Sequence, residues 1–179
     1  ELSTKGDKQD DLLVQDFTAL EKSDNEHISV VPEQEKEVKY MYLQKWIGET
    51  LDTIAPLDAD KFSGAIAYLL LVLIHRIDYM ITPEGKLLNE LEKITGIYFK
   101  KDERPVTEKN RDMAEAFKNM QALPKEEVFK NLFRSKYTFA IVAPQPYKAV
   151  AEAIHAANQN MVWYRDNNCP FIASQITEY

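Results

Sequence analysis

His75 stands three residues before Asp78 and four before Tyr79. On a helix both spacings bring side chains into contact. An aspartate beside an imidazole fixes its tautomer and raises its pKa, the arrangement that general acid–base chemistry uses. Tyr68 lies on the same face, so Tyr68, His75, Asp78 and Tyr79 form a polar seam. No serine or cysteine nucleophile can be placed beside them from sequence. Burying a His, an Asp, an Arg and a Tyr together also satisfies their hydrogen-bonding groups mutually. The seam is therefore expected to be structural, and no residue is assigned as catalytic.

Other chemistries find less support. The three histidines, His27, His75 and His155, are far apart, and none belongs to a paired metal-binding motif. Asp58 and Asp60 suggest a calcium loop, but that pattern then needs an oxygen ligand where Phe62 stands and a glutamate where Leu69 stands. Cys169 is the sole cysteine, which excludes an intramolecular disulfide and a cysteine-rich zinc site. It reads as a half-buried packing residue, the usual state of a free thiol. No cofactor and no metal are expected.

The seam rides on the least polar stretch of the chain, residues 62–81. Only 13 uncharged residues separate Lys61 from His75, against about 20 for a spanning helix. A core helix is expected, with no membrane insertion. At about 100 degrees per residue, Ile66, Leu70, Leu73, Ile77, Met80 and Ile81 fall on one face. Tyr68, Leu71, His75, Asp78, Tyr79 and Thr82 fall on the other.

A helix this apolar needs neighbours on several sides, and the rest of the chain offers them. Pro32 is placed to open a helix running to about Ile54, with the stripe Val38, Met41, Tyr42, Trp46, Leu51 and Ile54. Asp58 or Asp60 caps the apolar helix. Leu87, Leu88, Leu91 and Ile94 define another helix ending near Gly96. Thr107 caps a helix with Met113, Phe117 and Met120 on one face, and Leu123-Pro124 breaks it. Val128, Phe129, Leu132 and Phe133 follow as a further helix, and Pro146 opens a last one. Residues 136–143, rich in aromatic and β-branched side chains, and residues 161–165 suggest a small two-stranded β element.

These elements fit one mainly α domain, residues 32–179, of six to seven helices around the 62–81 helix. Length and composition agree: 179 residues, 45% apolar and 28% charged, with only five glycines. Residues 1–31 read as an acidic arm with a short amphipathic helix carrying Leu12, Leu13, Phe17 and Leu20.

Charge sharpens the functional reading. Residues 1–37 hold eleven acids against four lysines, which accounts for the whole net charge of −7 and leaves the rest neutral. That distribution disfavours nucleic acid, which needs clustered Lys and Arg. The one basic cluster, Lys100, Lys101, Arg104, Lys109 and Arg111, is offset by Asp102, Glu103, Glu108 and Asp112. The expected partner is another protein or peptide, possessing for instance a basic surface. Leu12, Leu13, Phe17, Leu20, Trp46, Tyr98, Phe99 and Trp163 are the candidate contacts, aromatics being common interface anchors. The expectation is a non-catalytic adaptor, chaperone-like protein or assembly subunit, for example of a secretion-type machine. A toxin-neutralising immunity-type protein, or a small enzyme using His75, Asp78 and Tyr79, is the alternative. Cysteine scarcity and the want of a signal-like start point to a cytoplasmic setting.

Overall fold

In a computed structural model, residue 13 and residues 15–20, 28–135 and 145–167 are described. Among them the chain forms an all-α bundle of six helices with one two-stranded antiparallel sheet. The elements run β1 (Ile28–Val30), α1 (Glu33–Ile54), α2 (Ser63–Arg76), a π-helical turn (Ile77–Ile81), α3 (Gly85–Phe99), α4 (Val106–Gln121), α5 (Lys125–Lys130), β2 (Phe133–Ser135) and α6 (Tyr147–Asp166).

Proline sets the starts. Pro32, Pro105, Pro124 and Pro146 each immediately precede a helix in extended conformation. Each carbonyl accepts a first-turn bond, from Lys36 (3.0 Å), Lys109 (3.3 Å), Val128 (3.1 Å) and Val150 (3.2 Å). A proline there loses nothing, because helix-start N–H groups lack intrahelical partners. Thr107 is therefore not the cap of α4; Pro105 holds that position. In the turn before α2 the Asp58 carboxylate accepts the backbone N–H groups of Asp60 (3.0 Å) and Lys61 (2.8 Å), but the cap position of α2 is Phe62, with no side-chain bond, so neither Asp58 nor Asp60 caps that helix.

Helix α2 is the centre, packed against α1, α3 and α4. Ala65–Ile74 is buried throughout except at Tyr68. Leu43, Ile47, Leu70, Leu73, Ile74, Leu91, Met113 and Phe117 form the main core. Each such side chain contributes about 1.5–3 kcal/mol by leaving water. Ser63–Ile81 forms one continuous helical stretch of 19 residues, long and apolar enough by length and composition to cross a membrane. The length argument against a span thus fails, but two-thirds of the stretch lies inside the protein.

Several local expectations need correction. On α1 the buried line is Leu43 and Ile47, with Tyr40, Trp46, Leu51 and Ile54 partly covered. Val38, Met41 and Tyr42 are exposed. The stripe was misphased because apolar residues occur on both sides of this helix. Met80, which the spacing places on one face with the buried Ile77 and Ile81, is 65% exposed. The backbone passes into i→i+5 pairing, with Thr82 N–H donating to Ile77 O at 3.2 Å, and this rotates the last turn. Helix α3 continues through Gly96 to Phe99, and α5 stops at Lys130, releasing Leu132 and Phe133.

The β element exists but is built elsewhere. Ile28 pairs with Ser135, Ser29 with Arg134 and Val30 with Phe133. Residues 161–165 are helical, inside α6; residues 136–143 lie outside the described set.

Candidate functional site

The N-terminus of α3 has no side-chain cap within its own segment. Asn131, just beyond α5 and buried, supplies it from across the fold. Its Oδ1 accepts the backbone N–H groups of Lys86 (2.9 Å) and Leu87 (3.4 Å), and its backbone carbonyl accepts that of Glu84 (2.9 Å). Its Nδ2 donates to Glu127 O at 2.7 Å. One side chain thus closes the end of α5 and the start of α3.

The N-terminal arm meets this junction. Gln15 Nε2 donates to the same Asn131 Oδ1 at 3.3 Å, and the Asp16 carboxylate lies 2.6 Å from the Lys86 ammonium. That contact, through its hydrogen bond first and its charge second, raises the Lys86 pKa above the ordinary lysine value. Gly85 makes room: its φ is +56°, and a Cβ there would lie 2.5 Å from Gln15 Nε2 and 3.0 Å from Asn131 Oδ1. Only glycine satisfies both the backbone and the space.

While Gln15 and Asp16 contact the body, the apolar side chains described in the arm face water. Leu13, Phe17 and Leu20 are 45%, 58% and 47% exposed. Their spacing is that of one helical face, with Phe17 N–H bonded to Leu13 O at 2.9 Å. Burial of apolar groups would ordinarily orient such a segment the other way. Leu12, the fourth expected arm contact, lies outside the described residues.

The other expected contacts do not gather into one site. The half-buried Trp46 stacks near Tyr42 (5.2 Å between rings) and under the Arg76 guanidinium (5.6 Å), at the end of α2. Trp163 meets Phe62 edge-on (6.0 Å) at the start of α2, about 20 Å along the helix at 1.5 Å per residue. Tyr98 and Phe99 contact one another edge-on at 5.1 Å; Tyr98 packs on the core and Phe99 is exposed.

The polar seam is divided among environments. Tyr68 Oη accepts a hydrogen bond from Asn160 of α6 at 3.3 Å. His75 is half-buried, Asp78 buried and Tyr79 exposed. Burial lowers the His75 pKa below its ordinary value, and the Asp78 charge opposes this without prevailing. The expected rise is therefore reversed. Among the described residues no group of three or more His, Cys, Asp or Glu side chains could hold a metal ion.

The basic cluster closes on itself. Lys109 Nζ donates to Lys100 O (2.7 Å) and Tyr98 O (3.3 Å), completing the end of α3, and lies 3.1 Å from Asp102. Arg104 bridges Asp102 (3.0 Å) and Asp112 (2.7 Å). Burial works to raise the Asp102 pKa, but hydrogen bonds from Lys109 and Arg104 outweigh it and hold the carboxyl at about 2.

Helix α6 leaves a further surface. Tyr147, Val150, Ile154, Ala157, Met161 and Tyr164 alternate at three- and four-residue steps, a helix-pairing seam. Its C-terminal half is used: Ala157 and Tyr164 pack beside Ala65 and Leu69. Its N-terminal half is uncovered, with Tyr147 88% exposed.

Gln15, Asp16, Lys86 and Asn131 were not singled out from sequence. This fold is a helical bundle with outward-facing apolar helix faces and matches no family model, no curated protein and no solved structure.

Proposed function

We propose that this chain is a non-catalytic recognition module, an adaptor or assembly subunit that binds another polypeptide through helix faces. The observation that carries the reading is the orientation of the arm: polar Gln15 and Asp16 on the body, apolar Leu13, Phe17 and Leu20 outward. A ridge of this kind fits an apolar groove, the mode by which amphipathic helices are recognised. The acidity of residues 1–37 suits a groove with basic borders. The open half of the α6 seam offers a second face of the same type.

In this reading Ser63–Ile81 serves as the core of the bundle, and the His75–Asp78 pair is a packed polar contact. Affinity capture from the native source tests the proposal. Wild-type protein is expected to retain a polypeptide that the doubly substituted Phe17→Ser, Leu20→Ser protein loses, while His75→Ala retains it. Equal recovery by wild type and the arm variant contradicts the proposal.

A further inference from the structure

We infer that Leu13 and residues 15–20 belong to a salt-sensitive latch, whose closure on the junction of α3 and α5 holds the apolar ridge in its outward pose. The inference rests on the recognition reading above and names the control of that same surface.

Three features place the latch. Gln15 shares the Asn131 Oδ1 that already caps α3, so the arm docks on a rigid element. Asp16 and Lys86 form the outer contact, both half-exposed, and such pairs are weakened by added salt. Gly85, without a Cβ, leaves the space that the Gln15 side chain fills.

Among the described residues the clasp consists of one hydrogen bond and one ion pair, and Leu13, Phe17 and Leu20 add little apolar burial to it. It is closed at low ionic strength and opens readily. A partner that binds the ridge meets it pre-ordered when the latch is closed and must order it when open, which lowers affinity. Opening requires no change in the core, because Leu13, Phe17 and Leu20 take no part in it.

Millisecond-quench hydrogen exchange at the Phe17 and Leu20 amides, bonded to Leu13 O (2.9 Å) and Phe17 O (3.0 Å), tests the latch in the full chain. Wild type at low salt is expected to show protection that falls roughly three- to tenfold in Asp16→Asn, Gln15→Ala and Lys86→Ala, and in wild type at high salt. Lys93→Ala, which removes an ion pair with Glu90 on the same helix, is expected to leave it unchanged. Unprotected amides in wild type, or equal protection in all variants, overturn the inference. These amides report the latch without any partner: protection that follows the pattern while the capture experiment fails would remove the recognition reading alone. Capture that survives with unpatterned protection would remove the latch alone.

Discussion

Asn131 caps Lys86 across 45 residues of sequence, its Oδ1 accepting the backbone N–H at 2.9 Å. The bond joins two helices that share no local sequence signal. It also provides the floor on which Gln15 rests.

Replacing Asn131 by alanine removes the cap of α3 and the bond to Glu127 together. A loss of about 1–3 kcal/mol in unfolding free energy is expected from urea denaturation. A change below about 0.5 kcal/mol would show that solvent replaces the cap.

Acid should act on Asp102. Its folded-state pKa, about 2, lies below the ordinary 3.8, so the native state favours the carboxylate. The associated stability is present above pH 3.8 and is lost as pH falls toward 2. Melting temperatures of Asp102→Asn are expected to fall less steeply than wild type over that window. Parallel curves would mean the contacts with Lys109 and Arg104 are compensated in the unfolded chain.

His75 carries the same sign, though here burial rather than ion pairing is the cause. Its folded pKa lies below the ordinary 6.5, so the unfolded chain binds more protons as acidity increases. Its contribution favours folding fully above pH 6.5 and is lost as pH falls through 6.5 to the folded value. His75→Gln should flatten the stability profile in that window. A profile that is unchanged would place the imidazole in an environment no drier than water.

The core and the open α6 seam should respond differently to truncation. Leu70→Ala is expected to cost about 2–5 kcal/mol, because the side chain is fully buried. Ile154→Ser, on an exposed face, should change stability by less than about 0.5 kcal/mol. Similar losses at both positions, measured by chemical denaturation, would contradict the division between packed and open surface.

What could be read in the chain follows the range of each interaction. Pro32 and Pro146 announced their helices because a proline acts on its immediate neighbours. The 62–81 run announced a central helix because its first half, to Ile74, is apolar almost all round. The β1–β2 pairing could not be read, since five helices separate Ile28 from Ser135 along the chain and no local pattern links the two strands. Residues 161–165 misled because β propensity of Val162, Trp163 and Tyr164 is weaker than the repeating seam of α6, which fixes a helix. The arm's apolar residues were legible; that its polar side would be the docked one was not, because Asn131 and Lys86 are distant in sequence.

The claim that most needs testing is that the ridge of Leu13, Phe17 and Leu20 is a recognition surface. A photo-crosslinking amino acid placed at Phe17, with Glu90 on the outer face of α3 as the comparison position, tests it directly in the native source. The expected result is one discrete adduct to a second polypeptide from position 17, absent from position 90 and suppressed by Leu20→Ser. Crosslinking that is equal at the two positions, or confined to the chain itself, would contradict the account.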